Sequence, residues 1–411
     1  CLNIASFIAR RIVLQKNHSF SRFIIRLSAA ATAISVAIMI MALAFVAGFQ
    51  ETVANKVFSF WGHVRVQQQE PSVSGLAEEL PTYKNDTIEK TLRSFPQIKY
   101  TDAYATKSAL LKTKEGIEGI LLKGIEPSFH KERIAPFLVE GKWLDFQSDS
   151  SQSPILISAY TAKQLQLKTG DKALIFFIGD ESGKSQIRPV RICGIYKTSI
   201  EEYDKTFALI HLNLIQKVNG WSNDQIGGYE ITLNNYRNDS KISNQLLDSI
   251  PTSWYSTPVR QIYPNIFDWL NLQNTNRRII IVIMCAVAIM NLITCLLILV
   301  LERSKMIGLL KATGASDMQV QSIFWQQGAL VALTGILIGN ILGLGLCWLQ
   351  HTTGFIRLDE AAYYVAKAPV KIIVWQVLLV NAVTFLVSLL VLLIPSFLIK
   401  RISPVSALRF E

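Results

Sequence analysis

Four long stretches without a charged residue dominate the hydrophobic pattern of the chain, at 27–50, 279–301, 318–356 and 372–399. An α-helix needs about 20 consecutive apolar residues to cross the hydrocarbon core of a bilayer, and each stretch reaches that length. Because a helix satisfies all of its own backbone hydrogen-bonding groups in lipid, the pattern predicts four membrane-spanning helices. The third stretch ends in a polar segment, so its spanning part is placed at 320–350.

The limits of the four spans are set by the flanking charged and polar residues. The predicted spans are 23–49, 278–301, 320–350 and 372–399. Helices buried in a large soluble protein are the alternative, but such helices are usually shorter and rarely so free of charge. A cleaved signal peptide is the alternative for the first span. Its apolar run is longer than the ~7–15 residues of a signal sequence, so we expect it to be retained.

Residues 50–272 have a different pattern, with short apolar or alternating runs separated by polar turns. Alternation with a period of two residues is typical of strands, and apolar residues three or four apart are typical of helices. The strand-like runs are His63–Gln67, Gly119–Lys123, Pro154–Ile157, Ala173–Ile178, Val190–Tyr196, Phe207–His211 and Tyr229–Leu233. The helical runs are Thr87–Ser94, Ser158–Gln166, Leu212–Val218 and Lys241–Ile250. The sequence therefore predicts a large mixed α/β domain inserted between the first and second spans.

The net charge of +11 is concentrated beside the ends of the predicted spans. The segments 1–22, 302–317 and 400–411 are basic, whereas 50–272 and the short loop 351–371 are nearly balanced. Cytosolic loops of membrane proteins are enriched in Lys and Arg, so the three basic segments are predicted to be cytosolic and the α/β domain to lie on the far side. This distribution accounts for the net positive charge. A nucleic-acid partner is not indicated, because no basic stripe is interleaved with stacking aromatic residues.

The amino-terminal segment 1–22 combines apolar residues at helical spacing with several Arg and Lys residues. Such a segment suits a helix lying in the inner membrane interface, with an ordinary cytosolic helix as the alternative. Cys1 is compatible with a mature lipoprotein, but lipidation would place this basic segment outside, so we expect an initiator methionine before Cys1. Only Cys193 of the five cysteines falls in the α/β domain, which excludes a disulfide within that domain.

No catalytic, metal-binding or cofactor-binding signature is found in the sequence. Residues 179–185 read Gly-Asp-Glu-Ser-Gly-Lys-Ser, but a phosphate-binding loop needs four residues between its glycines and a helix after them. Three residues separate the glycines here and a strand-like run follows, so a hairpin turn is predicted. The acidic residues Glu201, Glu202 and Asp204 are predicted to form a solvated turn and not a calcium site. None of the five histidines has a second ligand at metal spacing, and the chain is predicted to have no ATPase site of its own.

Small and polar residues in the spans are placed for helix packing. Gly335, Gly339 and Gly343 recur at four-residue steps in the third span, and they are predicted to form a packing ridge, within one subunit or between subunits. Asn291 and Thr294 lie in the second span, where an interhelical hydrogen bond is favoured over a transport pathway. No charged residue lies deep in any span, which argues against an ion-coupled carrier.

The segment 302–317 combines cationic and apolar residues in a pattern that predicts a short amphipathic helix between the second and third spans. Gly314 is a natural helix stop, and Ser316 with Gln319 makes a capping box that opens the third span. A rigid helix of this kind is suited to docking in a groove of a partner protein, with a simple linker as the alternative. The predicted docking residues are Arg303, Lys305, Met306, Ile307, Gly308, Leu310, Lys311 and Gly314.

The run from Glu302 to Ser316, Glu-Arg-Ser-Lys-Met-Ile-Gly-Leu-Leu-Lys-Ala-Thr-Gly-Ala-Ser, resembles the coupling-helix motif of FtsX-like ABC transporter permeases. The resemblance covers nearly the whole chain and is to the lipoprotein-releasing LolC/LolE branch. The other segments that carry it are Ile8–Arg11, Phe45–Gln50, Leu122–Pro127, Leu167–Asp171, Gly194–Asp204 and Pro404–Arg409. Each motif alone is weak, but their order and spacing together are specific.

The resemblance implies a type VII exporter permease of the bacterial inner membrane, with both termini cytosolic and a MacB-like periplasmic α/β domain. The expected partners are two copies of a cytosolic ABC ATPase subunit, a second permease subunit in a homo- or heterodimer, inner-membrane lipids and a lipoprotein substrate. ATP-driven motion would reach the periplasmic domain through stiff helices, without a pore through the spans. Docking of the ATPase falls to 303–314, and 403–409 is expected to add a second contact.

One departure from the family concerns an extended hook loop, which relatives that hand lipoproteins to a periplasmic carrier possess. The corresponding strands here are joined only by about Gly179–Gln186, a connection too short to project far. The chain is then the partner subunit, a homodimeric version, or an exporter of another substrate.

The sequence leaves three other functions as alternatives. An FtsX-type signalling permease that controls a cell-wall hydrolase usually has a smaller exterior domain. A MacB-like efflux permease often carries a fused ATPase, for which the sequence has no signature. A membrane-anchored enzyme would need a catalytic constellation in 50–272, and the sequence offers none there.

Overall fold

The computed structural model describes residues 20–68, 79–146, 152–177 and 186–391, which form two compact units. Of the described residues, the membrane unit contains those up to Glu51, Trp269–Arg357 and those from Lys367 onward, and the exterior unit contains those within Thr52–Asp268 and Leu358–Ala366. Three predicted features lie wholly or mostly outside the described residues, namely the interfacial helix at 1–22, of which only Phe20–Arg22 are described, the turn at 179–185 and the carboxyl-terminal segment 400–411. Residues 392–399 of the predicted fourth span also lie outside them.

The α-helices of the described residues follow the chain in this order: α1 (Phe20–Trp61), α2 (Asp86–Ser94), α3 (Ala159–Gln164), α4 (Glu201–Thr206), α5 (Leu212–Asn219), α6 (Asp239–Leu247), α7 (Val259–Ile262), α8 (Pro264–Glu302), α9 (Ser304–Ala312), α10 (Asp317–Thr353), α11 (Glu360–Tyr363) and α12 (Val374–Val391). The strands are β1 (Val64–Gln68), β2 (Thr82–Tyr83), β3 (Ile98–Lys112), β4 (Ile117–Ile125), β5 (Leu138–Gly141), β6 (Ser153–Ser158), β7 (Lys172–Phe177), β8 (Gln186–Tyr196), β9 (Phe207–His211), β10 (Gln225–Ile226), β11 (Gly228–Leu233) and β12 (Trp254–Pro258).

Four of these helices, α1, α8, α10 and α12, are long and apolar enough to cross a membrane. Together with the α/β exterior unit they confirm the predicted fold class. Two of the helices extend well past the predicted span limits, since α1 continues to Trp61 and α8 already begins at Pro264. The reason is that flanking charges mark the edge of the hydrocarbon layer, whereas a helix can continue into water wherever its backbone remains bonded.

The three glycines of α10 lie directly against α1. A Cβ atom at Gly339 would lie 2.7 Å from the carbonyl oxygen of Ala33 and 2.8 Å from Cβ of Val36. Gly335 meets Thr32 at a similar distance, and Gly343 meets Ala37. Any larger residue would therefore push the two helices apart, as expected for small-residue packing in lipid.

Neutral amides supply polar contacts between the spans. Asn291 on α8 donates to the carbonyl oxygen of Ser28 on α1 at 2.9 Å, which confirms the interhelical bond predicted for it. The same prediction is wrong for Thr294, because its hydroxyl donates to the carbonyl oxygen of Met290 in its own helix. Asn340 on α10 and Asn381 on α12 exchange two hydrogen bonds of 2.9 Å, a pair that the sequence pattern does not predict.

Six strands of the exterior unit close into a barrel. Each strand pairs with the next in the ring β3–β4–β9–β6–β8–β7, and β7 pairs again with β3 through Leu110–Lys112. Buried residues at alternate positions of the strands fill the barrel, as small barrels require. They include Leu111, Ile120, Leu122, Ile175, Val190 and Ile192.

The amino-terminal half of β3 leaves the ring and starts a second sheet region with β11, β1 and β12. Two helices bury their apolar sides in the same core, α2 through Ile88 and Leu92 and α6 through Ile242 and Leu246. The side chain of Asn85 accepts hydrogen bonds from the first turn of α2, which fixes where that helix begins.

All seven predicted strands and all four predicted helices of the α/β domain are present, but seven further strands and α-helices of this domain are not predicted. These are the strands β2, β3, β5, β10 and β12 and the helices α4 and α7. The solvated turn predicted at Glu201–Asp204 is wrong, because these residues form α4 and Asp204 is buried. Acidic residues in the first turn of a helix are stabilised by its dipole, which explains the helix at this position.

Candidate coupling site

The reversal between α8 and α10 is built from local capping interactions around α9. The backbone of Gly314 has a φ of +92°, a left-handed conformation that favours glycine and ends α9. The Ser316 hydroxyl then accepts a hydrogen bond from the Gln319 amide at 3.3 Å, and the Gln319 side chain accepts one from the Ser316 amide at 3.0 Å. This capping box opens α10 directly after α9, so both ends of the reversal are fixed.

The apolar side of α9 packs against its own neighbouring helices. Ile307 is fully buried in a cluster with Val300 of α8 and with Val320 and Phe324 of α10. Met306, Leu310 and Ala315 are partly buried around the same cluster. The helix is therefore packed against the ends of α8 and α10.

The charged side of α9 is divided between an internal ion pair and an exposed surface. Lys311 lies 2.9 Å from Asp317 of α10, and its side chain is only 9% exposed. Lys305 is exposed, and so is Leu309 on the same helix, with 58% of its surface accessible. Lys305 and Leu309 are thus exposed on α9, and Met318 is exposed at the start of α10.

The structure separates the eight predicted docking residues by exposure: Lys305 and Gly314 are exposed, Arg303, Met306, Leu310 and Lys311 are half-buried, and Ile307 and Gly308 are buried. Their docking role stays a prediction. Leu309 and Met318 are outside the predicted set although their apolar side chains are exposed. The signal that could have identified them is their place opposite the buried side of the reversal.

A cluster of four charged residues, which we call the exterior charge cluster, lies at the far end of α1. It consists of Asp102, Lys123, Arg133 and Glu230. Lys123 of β4 pairs with Glu230 of β11, and both side chains are fully buried. Arg133 joins Glu230 to Asp102 of β3, at 2.8 Å from each.

The two cations of the cluster also bind the last turn of α1. Lys123 donates to the carbonyl oxygen of Phe60, and Arg133 lies 3.5 Å from that of Phe58. The last carbonyl groups of a helix carry partial negative charge and favour nearby cations. Gly62 then ends the helix with a φ of +71°. The terminus of α1 is thereby bonded to the sheet at a defined position.

Aromatic rings surround this terminus. Phe60 contacts Phe207 with a centroid separation of 5.0 Å, and Trp61 contacts Phe207 at 5.1 Å and Tyr104 at 5.8 Å. The Lys123 ammonium lies 4.4 Å from the centre of the Trp61 ring. Buried aromatic contacts and a cation over an indole ring both stabilise the position of the helix end.

Burial and neighbouring charge shift several titrating groups here, and burial above all lowers the pKa of Lys123 to about 7. Burial alone would raise the pKa of Glu230, but the charges of Lys123 and Arg133 outweigh it and hold this pKa below its ordinary value. Burial, together with the charge of Arg133, lowers the pKa of His63 to about 3. The neutral His63 ring accepts a hydrogen bond from the Leu233 amide at 2.8 Å, which a protonated ring nitrogen could not do.

The exterior charge cluster is not predicted from the sequence, although a signal exists. Lys123 and Glu230 each place a charge in the buried part of a strand, and such a charge requires a partner. The pairing itself depends on strands distant in sequence. Among the residues that the structure describes, no group of three or more His, Cys, Asp or Glu side chains is placed to hold a metal ion.

Family models match both parts of the chain. The FtsX-like permease C-terminal region matches residues 278–404, and the MacB-like periplasmic core domain matches residues 27–247. The second match spans more than half of the chain. The chain therefore belongs to the family of the MacB-like periplasmic core domain, joined here to an FtsX-like permease region.

The relatives that are similar over nearly their whole length include lipoprotein-releasing system transmembrane proteins. The lipoprotein-releasing system transmembrane protein LolE of Haemophilus influenzae is 24% identical over 402 residues, covering 94% of each chain. The corresponding protein LolC of Xylella fastidiosa is 22% identical over 423 residues, covering 98% of this chain and 97% of the relative. LolC of Neisseria meningitidis is 23% identical, covering 98% of each. The resemblance to the LolC/LolE branch is thus confirmed.

Proposed function

We propose that the chain is the permease subunit of a type VII ABC exporter that releases lipoproteins from the inner membrane. The observation that carries this proposal is similarity to lipoprotein-releasing permeases over 94–98% of the chain, which includes both the spans and the exterior domain. The absence of a phosphate-binding signature from the sequence fits a subunit that relies on another for ATP hydrolysis. Two ATPase copies and a second permease subunit complete the proposed assembly.

In this proposal α9 is the element that the ATPase moves. Its buried Ile307 side makes it one body with the ends of α8 and α10, so a displacement of α9 displaces both spans. Lys305, Leu309 and Met318 supply an exposed surface with one cation and two apolar side chains. This surface replaces the buried Ile307 and Gly308 as the direct contact, while those two residues position the helix.

The long helices provide the path for this motion. Both α1 and α8 are continuous helices, and each contributes residues to the membrane unit and to the exterior unit. The end of α1 is bonded to the sheet by the exterior charge cluster. A helix fixed in this way passes axial or tilting movement to the strands that hold it.

The proposed orientation places both termini and 302–317 in the cytosol and the exterior unit in the periplasm. The support for this orientation is the concentration of Lys and Arg in the segments 1–22, 302–317 and 400–411. A single cysteine placed at position 305 should react with a membrane-permeant thiol reagent and resist an impermeant one in intact cells whose outer membrane has been opened. Reaction with the impermeant reagent would contradict the orientation.

The docking assignment is tested by co-purification of the chain with its cognate ATPase subunit. The double variant Lys305→Glu/Leu309→Asp should lower recovery of the ATPase by about tenfold, as loss of a central contact does. Lys114→Glu, in an exposed turn of the exterior domain, is the matched charge-reversal control and should leave recovery unchanged. Equal recovery with all three proteins would refute docking at α9.

Release of lipoproteins is tested separately in vesicles that contain the purified complex. ATP should drive a fluorescently labelled triacylated lipoprotein out of the bilayer, and a soluble protein without lipid anchors should be unaffected. Export of a small amphipathic drug without lipoprotein release would instead favour the efflux function.

A further inference from the structure

The segment between the third and fourth spans contributes a compact loop to the exterior unit. Its two limbs meet where the Leu358 amide donates to the Ala366 carbonyl oxygen at 3.0 Å, and α11 lies between them. Val365 in this loop is buried. The residues Leu358–Ala366 therefore belong to the exterior unit, although the residues on either side of them belong to the membrane unit.

Glu360, the first residue of α11, is the main polar anchor of this loop. One carboxylate oxygen accepts a hydrogen bond from the Lys197 ammonium, and the other accepts one from the Ser199 hydroxyl. The side chains of Lys197 and Glu360 are 44% and 33% exposed. The bond from Lys197, followed by that from Ser199, holds the pKa of Glu360 below its ordinary value, so the carboxylate is charged at neutral pH.

The turn that receives Glu360 is held in shape by a different carboxylate. The buried Asp204 of α4 accepts hydrogen bonds from the amides of Thr198 and Ser199, both at 2.9 Å. Ser199 has a φ of +65°, a left-handed conformation that favours glycine. A non-glycine residue remains in this conformation only where its surroundings fix it. The turn thus presents the Ser199 hydroxyl and Lys197 in a preset arrangement.

A second anchor joins the same loop to α1. The Lys56 ammonium donates to the carbonyl oxygen of Tyr364 at 2.7 Å. Tyr364 follows α11 and has a φ of +59°, so its carbonyl is turned out of the helical direction. The loop is consequently bonded on one side of α11 to the turn after β8 and on the other side to α1.

We propose that Glu360 is a positioning residue of the export cycle, which fastens the connection between the third and fourth spans to the exterior domain so that their movement is passed to it. This inference rests on the proposed exporter function. It adds a route to those through α1 and α8, because this loop connects α10 and α12 to the exterior unit along the chain. Without the anchor, the two spans can move while the loop slides over the domain.

The anchor itself is tested by hydrogen exchange on the chain in detergent, without nucleotide or partner. Backbone amides of Leu358–Ala366 should exchange about tenfold faster in Glu360→Ala than in the parent, because local opening no longer breaks two charge-assisted hydrogen bonds. Glu115→Ala, which removes an exposed acidic side chain from another turn, is the control and should leave these amides unchanged. Equal exchange in Glu360→Ala and the parent would overturn the proposal.

The coupling role is tested with the reconstituted exporter by measuring lipoprotein released per ATP hydrolysed. Glu360→Ala should lower this ratio by about tenfold while ATP hydrolysis stays within about twofold, since the ATPase contact is untouched. Lys197→Glu should lower the ratio similarly, and the charge-swapped Lys197→Glu/Glu360→Lys should restore most of it. A merely structural role would lower hydrolysis and release together.

The outcomes separate this proposal from the proposed function. If the parent complex releases lipoprotein and Glu360→Ala keeps the parent ratio, the role of Glu360 is refuted and the exporter function stands. A loss that the charge swap does not restore also refutes the role. Failure of the parent complex to release any lipoprotein would overturn the exporter function and the coupling role with it, whereas the exchange result would still report on the anchor.

Discussion

The membrane unit and the exterior unit fix the same helix, α1, by different kinds of interaction. In the membrane unit α1 is held by close contact with the three glycines of α10 and by the neutral Asn291. In the exterior unit its end is held by the exterior charge cluster, in which Lys123 and Glu230 are fully buried. The position of α1 in the membrane unit therefore depends mainly on close packing, and the position of its end in the exterior unit depends on charged groups.

The difference follows from the two surroundings and has a mechanical consequence. A charge in the hydrocarbon core is costly, so small residues that let backbones approach are the available device there. A glycine contact sets a separation but allows a small change in tilt. Bonds from ammonium and guanidinium groups to specific carbonyl oxygens set a position and a direction. The glycine contacts therefore set the distance between α1 and α10, whereas the charged groups set the position of the end of α1 on the sheet.

The largest effect is expected from disrupting the exterior charge cluster, which holds the end of α1. Glu230→Ala leaves Lys123 and Arg133 buried without their shared partner and should cost about 3–5 kcal/mol in the free energy of unfolding. Chemical unfolding of the chain in detergent, followed by tryptophan fluorescence, measures the loss. Glu115→Ala, at an exposed turn, should change stability by less than about 0.5 kcal/mol. A loss for Glu230→Ala as small as that of the control would contradict a stabilising cluster.

The glycine contact is tested by a single added methyl group. Gly339→Ala would place Cβ 2.7 Å from the carbonyl oxygen of Ala33, and such overpacking should cost about 3 kcal/mol. Gly345→Ala is the matched control on the same helix, because its Cβ would meet no atom within 4 Å. Thermal unfolding in one detergent compares the two. Equal melting temperatures would mean that the ridge does not set the α1–α10 distance.

A pH dependence should distinguish the exterior end of α1 from its membrane end. The pKa of His63 is about 3 in the folded chain and near 6.5 when unfolded, so the unfolded state binds the extra proton between these values. The contribution is complete above pH 6.5 and falls as the pH drops, by about 2 kcal/mol between pH 6.5 and pH 5. Unfolding of the parent and of His63→Gln across this range should show the steeper decline in the parent. Parallel curves would refute neutral burial of His63.

The smallest effect is expected from the paired amides in the membrane. Asn381→Leu removes the exchange of hydrogen bonds with Asn340 and should cost only about 0.6 kcal/mol, the average for such bonds between spans. A double-mutant cycle with Asn340→Leu isolates the pair. A coupling energy above about 2 kcal/mol, beyond the range found for such pairs, would mean that polar bonds dominate in the membrane unit as charges do outside it.

Local chemistry predicts some of these features well. The limits of α9 and the start of α10 follow from Gly314, Ser316 and Gln319, whose effects reach only a few residues along the chain. The strands with apolar alternation, such as Phe207–His211, are predicted for the same reason. In each case the determining residues are neighbours in sequence.

Features set by distant partners are not predictable in this way. β3 is the longest strand, yet Asp102, Thr106 and Lys107 interrupt its apolar pattern because they are buried against polar partners from other elements. The sequence likewise predicts an apolar side for α9 without saying what covers it. Only the positions of Val320 and Phe324 decide that Ile307 is buried inside the unit and Leu309 is exposed.

The ring of strands in the exterior unit bears on how such a domain withstands repeated loading. Because β7 pairs with both β8 and β3, a force applied to one strand is shared by ladders on both of its sides. An open sheet under the same load would peel from its free edge, one bond after another. The closed ring of six strands has no free edge at which such separation could begin. It also has no free edge within the ring to which another extended chain could add by strand pairing.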